Sequence, residues 1–270
     1  MPPSFPPAQK RLGQNFLIDP NIVRKIVALA ELTCHDVVLE IGPGRGVLTE
    51  ALAQAAGRVV AVEIDPLLHR LLAERQPEWP NVELVCADAM TYGLDRLPSG
   101  TIVVANLPYY ISTPLLFRLL EQRARFPRLV LMLQEEVVDR LVAKPDSESY
   151  GVLSVMAQYA AEITKAFRVS AQCFRPRPEV GSAVALLSTK AGIAGGEEEA
   201  RTFASLVKAA FAHRRKQLVN SLRDEGYATG PVQEALVRIG LADDVRAETL
   251  SLEQFLTLSK LLAVPSSRRE

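Results

Sequence analysis

The sequence Asn-Leu-Pro-Tyr at residues 106–109 places oxygen acceptors, a proline and an aromatic ring next to one another. Because Pro108 makes the turn rigid, it can fix the side-chain oxygen of Asn106 and the main-chain carbonyl of Leu107 side by side. Two such acceptors can bind both hydrogens of an amino group, turn its lone pair toward a methyl donor and relieve the positive charge that develops on nitrogen. Tyr109 can stack on the base that carries the amine. Taken alone, these residues are better explained as a proline turn with a buried aromatic side chain.

A glycine-rich turn at residues 42–46 follows an apolar run at Val37–Ile41 and precedes a helical pattern. Gly42 and Gly44 have no Cβ atom, so their backbone can adopt positive φ and approach a ligand closely. The spacing is G-x-G-x-G, which occurs in many proteins that bind S-adenosylmethionine (AdoMet), and not the dinucleotide-binding G-x-G-x-x-G. Since glycines also cluster in ordinary tight turns, the turn alone fits a ligand loop and a structural loop equally well.

Acidic residues follow the next two predicted strands. Glu63 lies at the separation from Gly42 at which a carboxylate meets a bound ribose, and Asp88 can accept from the exocyclic amine of adenine. Each acid alone is more often a solvated residue at a strand end. Their order after successive strands favours an adenosine site. Glu40 is expected to face the same crevice, where it either offsets the positive charge of the ligand or caps backbone groups.

The elements that must position these groups follow an alternating pattern. Predicted strands at 37–41, 59–64, 82–86, 101–105 and 129–134 alternate with helices, which predicts an α/β fold of the Rossmann-like methyltransferase type with a mostly parallel sheet. Two later strands at 162–169 and 183–187 have no long helix between them and predict an antiparallel edge. Beyond residue 199 the patterns are helical only, at 200–212, 215–223, 232–239 and 252–262. We therefore predict a methyltransferase domain at 1–190, a linker at 191–198 and a small all-α domain at 199–270.

Composition excludes several classes of protein. The 270 residues include 31 basic and 31 acidic side chains, so a nucleic-acid site must be a local basic patch. No apolar run has the length of a membrane span, and the proline-rich start lacks the layout of a secretion signal. Three distant cysteines suggest neither a disulfide framework nor a metal site. We expect a cytoplasmic protein without a metal ion and without a membrane partner.

Several motifs together resemble those of the ribosomal RNA adenine N6,N6-dimethyltransferases. The resemblance is closest to the bacterial members that dimethylate two adjacent adenosines near the 3′ end of 16S rRNA, and it extends from about residue 10 to about residue 262. Its motifs are Glu-Ile-Gly-Pro-Gly-Arg-Gly at 40–46, Asn-Leu-Pro-Tyr at 106–109, Gln-Glu-Glu at 134–136, Phe-Arg-Pro-Arg-Pro-Glu-Val-Gly-Ser at 174–182 and Phe-Ala-His-Arg-Arg-Lys at 211–216.

The resemblance implies roles for further residues. Residues 10–17 match the family's N-terminal signature, in which Gln14, Asn15 and Leu17 would close over AdoMet. Phe174 would pack on the target base. The basic residues that open the helical domain would contact RNA phosphates, although such a run on a helix is usually a solvated turn. They are Arg214, Arg215 and Lys216. Other basic groups that could flank the same cleft are Lys10, Arg11, Arg24 and Lys25. The sequence departs from the family pattern at Arg45, Tyr110 and Glu179, and only Glu179 alters the charge expected on the RNA-facing surface.

The function that the resemblance implies is transfer of methyl groups from AdoMet to adenine N6, with S-adenosylhomocysteine as product. The expected partner is 16S rRNA within the immature small ribosomal subunit, with a role in its biogenesis, and the protein is expected to be a monomer. A first alternative is an enzyme that methylates adenine N6 in 23S rRNA. A second is a non-catalytic RNA-binding factor for ribosome assembly, against which the intact set of Gly42, Glu63, Asp88, Asn106 and Tyr109 argues.

Overall fold

The computed structural model describes residues 6–9, 12–190, 196–213 and 215–263, which form two compact units. The first unit takes the described residues up to Asp139 together with 161–190, and the second takes 140–160 and the described residues from 196 onward. The domain division predicted from the sequence placed 140–160 in the N-terminal domain. In the structure these residues belong to the second unit instead.

The first unit is built on a central sheet of seven strands within the described residues, in the order β4-β3-β2-β5-β6-β9-β7. Strands β2 to β6 are parallel, and β9 runs antiparallel to both β6 and β7. The predicted parallel sheet with an antiparallel edge is therefore confirmed. The strands are β2 (Val37–Ile41), β3 (Arg58–Glu63), β4 (Val82–Cys86), β5 (Ile102–Asn106), β6 (Arg128–Gln134), β7 (Ala161–Val169) and β9 (Ser182–Thr189).

Continuous apolar runs explain why the central strands are buried on both faces. Val38 and Leu39 in β2, and Val103 and Val104 in β5, are fully buried although successive side chains point to opposite faces of the sheet. The helices of this unit are α1 (Pro20–Ala30), α2 (Val47–Ala55), α3 (Pro66–Arg75) and α4 (Ser112–Glu121), and α5 (Glu135–Leu141) begins in it.

The strand order reverses between β2 and β5, and this reversal positions the site. The two strands pair directly, with Ile41 opposite Ala105, so the glycine turn after β2 and the Asn106 turn after β5 leave the sheet side by side. Ligands of open α/β sheets bind at such a switch point, outside the carboxyl ends of the strands.

A second, two-stranded sheet joins the N-terminal segment to a distant part of the first unit. Strand β1 (Phe16–Leu17) pairs antiparallel with β8 (Phe174–Arg175), and Leu17 lies opposite Phe174. Neither strand is among those predicted from the sequence. The pairing escaped prediction because each strand has two residues, too few for a periodic pattern.

The second unit is helical. Its helices are α6 (Val152–Ala160), α7 (Gly196–Phe211), α8 (Leu218–Asp224), α9 (Thr229–Arg238) and α10 (Leu252–Leu262). The ring of Tyr159 in α6 stacks on that of Phe203 in α7 with centroids 4.3 Å apart, and the hydroxyl of Tyr150 donates to the Leu250 carbonyl at 2.9 Å. Residues 140–160 thus supply part of the core of this unit. Among the described residues no helix is long and apolar enough to cross a membrane.

Candidate active site

One pocket at the carboxyl ends of the central strands brings most of the predicted site residues together. All the predicted cofactor-binding residues line it, and so do the four residues of the Asn-Leu-Pro-Tyr turn: Gln14, Asn15, Leu17, Gly42, Gly44, Glu63, Asp88, Asn106, Leu107, Pro108 and Tyr109. Residues from five separate segments therefore meet in one place. Phe174 is not among the lining residues.

The conformation of the glycine turn favours glycine at two of its positions. Gly42 and Gly44 have φ of 69° and 58°, values that residues other than glycine rarely adopt. A Cβ atom on Gly44 would lie 3.0 Å from Cδ1 of Phe16, so a side chain at this position would crowd the Phe16 ring. The turn therefore leaves its backbone open to a ligand.

Glu63 connects this turn to the next helix. One carboxylate oxygen accepts from the backbone N–H of Gly44 at 3.0 Å, and the other accepts from that of Asp65 at 2.9 Å. Burial raises the pKa of Glu63, while these two backbone hydrogen bonds act in the opposite direction. Each carboxylate oxygen has a second lone pair, so Glu63 can hold the turn in place and still accept from ribose hydroxyls.

Glu40 is a buried carboxyl group on the wall of the pocket. Its side chain is 1% exposed, and Oε2 has no hydrogen-bond partner among the described residues. Burial raises its pKa to about 8; the nearby Thr49 hydroxyl lowers it and the negative charge of Glu63 raises it further. A cationic ligand in the pocket would stabilise the ionised form of this group.

The two predicted acceptors of the Asn-Leu-Pro-Tyr turn are held by backbone contacts. The side-chain nitrogen of Asn106 donates to the Asn15 carbonyl at 3.2 Å, which fixes the position of the amide oxygen. The backbone N–H of Leu107 donates to the Met132 carbonyl at 3.1 Å. In the described part of the chain, no group donates to the Asn106 side-chain oxygen or to the Leu107 carbonyl. Both oxygens can therefore accept from a ligand.

Tyr109 is half-buried and held at two points. Its hydroxyl lies 2.6 Å from Oγ of Ser182, and its carbonyl accepts from the hydroxyl of Ser112 at 3.1 Å. Burial raises the pKa of Tyr109, so the phenol keeps its proton at neutral pH. The ring lines the pocket beside Asn106 and Leu107, where a base can stack on it.

The N-terminal segment lines the pocket and is held by contacts that the sequence did not indicate. The side-chain amides of Gln9 and Gln14 donate to the same carboxylate oxygen of Asp65, at 2.8 and 3.0 Å. Asp65 is buried, and its other oxygen caps α3 by accepting from the N–H of Leu67. The Asp-Pro pair at 65–66 marks a helix start in the sequence, but no local pattern shows that Asp65 also binds distant glutamines.

The three departures from the family pattern are placed as follows. The guanidinium of Arg45 lies 4.5 Å from the ring centroid of Phe16, so the unusual arginine packs on the N-terminal segment. Tyr110 is 50% exposed, with its ring against Gly13. Glu179 is exposed.

Phe174 requires a correction. The side chain is fully buried and belongs to the hydrophobic core with Leu17 and Val184. The prediction that its ring packs on the target base is wrong for this structure, because no face of the ring is open to a ligand. The signature residue instead anchors β8 against the N-terminal segment.

The predicted RNA-binding residues have weaker support than the pocket. Lys10, Arg11 and Arg214 lie outside the described residues. Lys216 is exposed and forms an ion pair with Asp224 at 2.7 Å within the second unit. Arg215 is exposed.

Comparison with known proteins gives consistent matches. A model of the family "Ribosomal RNA adenine dimethylase" matches residues 7–264. The "Ribosomal RNA small subunit methyltransferase A" of Geobacter sulfurreducens is 44% identical, covering 96% of this chain and 97% of its own. Among solved structures, a dimethyladenosine transferase from Plasmodium falciparum has a TM-score of 0.78 at 26% identity, covering 90% of this chain and 95% of its own. The 23S rRNA methyltransferase ErmE has a TM-score of 0.73 at 29% identity, covering 92% of this chain and 99% of its own.

The pocket, the acceptor pair and the matches agree. Since the family model spans nearly the whole sequence and a relative above 40% identity aligns over almost its full length, the chain belongs to the ribosomal RNA adenine dimethylase family.

Proposed function

We propose that this protein transfers methyl groups from AdoMet to N6 of two adjacent adenosines near the 3′ end of 16S rRNA, giving N6,N6-dimethyladenosine. The observation that carries the proposal is the pair of available acceptors, the Asn106 side-chain oxygen and the Leu107 carbonyl, in the same pocket as the glycine turn. An acceptor pair selects an amino group, and an open glycine turn selects a nucleoside-containing donor.

The residues of the pocket fit AdoMet. The open backbone at Gly42 and Gly44, the Glu63 carboxylate and Asp88 would hold its adenosine part, and Gln14, Asn15 and Leu17 would cover it. When bound, AdoMet supplies a methyl group on a positively charged sulfur. The buried, unpartnered oxygen of Glu40 is a group that this positive charge would satisfy.

The chain's own contribution to the transfer is orientation and charge stabilisation. Asn106 and Leu107 accept the N6 hydrogens, which turns the nitrogen lone pair away from the ring and stabilises the developing positive charge. No strong base is required, because the nitrogen becomes acidic once it is alkylated. After the first transfer one N–H remains, and the pocket must still admit N6 once it carries a methyl group.

The expected substrate is an adenosine that can leave its stack. Flipping a base costs a few kcal/mol, and least where the base is unpaired, so a loop in rRNA is favoured over a duplex. The relative at 44% identity is named for the small subunit, whereas ErmE, named for 23S rRNA, is 29% identical. These identities favour 16S rRNA, and we propose that the immature small subunit is the form acted on by a monomeric enzyme.

The proposal can be tested with small subunits that lack the modification. We expect labelled AdoMet to transfer methyl groups to neighbouring adenosines near the 3′ end of 16S rRNA, mapped by mass spectrometry of the RNA. Label in 23S rRNA from large subunits, and none in 16S rRNA, would support the first alternative. AdoMet binding without transfer to either RNA would support a non-catalytic assembly factor.

The acceptor role is tested by Asn106→Ala. We expect the substitution to abolish transfer, because the N6 hydrogens lose one of their two acceptors, while AdoMet binding measured by calorimetry stays largely intact. Asn81→Ala is a matched control, since the Asn81 amide also donates to backbone carbonyls, those of Ala53 and Ala56, but does not line the pocket. Normal turnover by Asn106→Ala would refute the acceptor role.

A further inference from the structure

The hydroxyl of Ser182 contacts the site without lining the pocket. Ser182 is the last residue of the signature at 174–182 and the first residue of β9. Its side chain is fully buried, and Oγ lies 2.6 Å from the hydroxyl of Tyr109. A buried hydroxyl requires a partner, and Tyr109 is the partner of this one.

The backbone around Ser182 is fixed on both sides. Ser182 pairs with Gln134 in β6 and with Val169 in β7, so it lies between two strands of the sheet. The preceding residue, Gly181, accepts from the backbone N–H of Glu135 at 3.0 Å. The Ser182 hydroxyl is therefore attached to a rigid part of the first unit.

Tyr109 has no comparable support on its own element. It begins a single turn of 3-10 helix at Tyr109–Ile111, and its side chain is only half-buried. Its carbonyl is held by Ser112 and its phenol by Ser182. Rotation of the side chain about the Cα–Cβ bond would carry the phenol away from Ser182 and break the second contact. The two contacts together fix the direction in which the ring projects from the backbone, and so its position beside Asn106 and Leu107.

We propose that Ser182 is a positioning residue that holds the Tyr109 ring in the position at which the target adenine stacks. This inference rests on the proposed function. A ring held in one position places N6 against its acceptors, whereas a ring that swings about the Cα–Cβ bond spreads the base over unproductive positions. Ser182 therefore acts on the rate of methyl transfer and not on AdoMet binding.

The test is a double-mutant cycle on small subunits carrying unmethylated 16S rRNA. We expect Ser182→Ala to lower kcat about threefold to tenfold, as the loss of one hydrogen bond from an oriented state does, with little change in KM for the subunits or in AdoMet affinity. Tyr109→Phe should cause a similar loss. The double variant should be no slower than either single one, because both remove the same contact.

A structural role alone would give a different result. Ser154→Ala is the control. Ser154 is also fully buried, and among the described residues its hydroxyl bonds backbone groups, those of Arg140, Ser149 and Gly151. It should lower the melting temperature and leave kcat unchanged. An unchanged kcat in Ser182→Ala, or the same fold-loss when Ser182→Ala is added to Tyr109→Phe, would overturn the inference.

Two variants make the test independent of whether Ser182→Ala folds. If Ser182→Ala does not fold, Tyr109→Phe removes the same contact from the other side, and full kcat in that variant overturns the inference. Ser182→Thr keeps the hydroxyl and should restore most of the rate. Failure of the proposed function is distinguishable, because the unaltered protein would then not methylate the subunits at all.

Discussion

Glu40 combines two properties that are costly for a carboxyl group. It is almost completely buried, and one of its oxygens has no partner within the described residues. Burial favours the protonated form and raises its pKa to about 8, against an ordinary value of 4.5. The folded protein therefore keeps a proton on Glu40 at neutral pH, which the unfolded chain has already released.

This difference predicts a pH-dependent stability. Between pH 4.5 and about 8 the folded state binds one more proton than the unfolded state, so stability falls as the pH rises through that range. Glu40→Gln cannot ionise and should be more stable than the unaltered protein at pH 8, by on the order of a few kcal/mol, with a smaller difference near pH 5.

Urea unfolding at pH 5 and pH 8 measures the effect of Glu40→Gln. Glu121→Gln makes the same chemical change on an exposed side chain and should show no such dependence. Equal stability differences for Glu40→Gln at both pH values would contradict the prediction.

At the scale of elements, two helices begin with the same Asp-Pro cap but differ in what the aspartate also binds. Asp19 caps α1 by accepting from the N–H of Asn21, and Asp65 caps α3 by accepting from that of Leu67. Asp65 additionally holds the side chains of Gln9 and Gln14. The second aspartate therefore connects a helix start to the N-terminal segment over the pocket.

The pair allows a matched comparison. Asp19→Ala and Asp65→Ala should each lower stability by about 1 kcal/mol through loss of the cap. Only Asp65→Ala should also increase amide hydrogen exchange at residues 12–17 and weaken AdoMet binding, because the glutamines lose their acceptor. Exchange mass spectrometry and calorimetry measure both effects. Unchanged exchange at 12–17 in Asp65→Ala would show that the glutamine contacts do not hold the segment.

At the scale of the whole molecule, sequence patterns predicted elements better than contacts between them. The apolar runs at 37–41 and 101–105 predict buried parallel strands, and a glycine turn followed by an acid after the next strand predicts an adenosine site. Phe174 could not be assigned correctly, because its burial depends on pairing with Leu17, far away in sequence. Asp65 and Ser182 were missed for the same reason: their partners are on other elements.

The assignment of residues 140–160 to a unit also depends on contacts between elements that are distant in sequence. Residues 151–160 have a helical pattern, but nothing local indicates whether this helix packs on the sheet or on the later helices. In the structure it packs on the later helices. Tyr159 stacks on Phe203, and the hydroxyl of Tyr150 donates to the Leu250 carbonyl. Both contacts join residues that are dozens of positions apart.

This packing predicts which unit loses stability when a buried aromatic side chain is replaced. Tyr159→Ala should destabilise the second unit by about 3 kcal/mol, because it removes a buried ring that stacks on Phe203. Amide protection should fall in α7 (Gly196–Phe211) and remain in β2 (Val37–Ile41). Phe126→Ala, at a fully buried position of the first unit, should have the reverse pattern. A uniform loss of protection in both variants would show that the two units unfold as one.

The contact between the Asn15 carbonyl and the Asn106 amide has a consequence for the timing of the reaction cycle. The proposed acceptor of the RNA amine is itself oriented by the segment that we propose covers the methyl donor. Any displacement of that segment would free the Asn106 amide to flip, with its nitrogen in place of its oxygen. Productive transfer should accordingly require the segment to be in place when RNA binds.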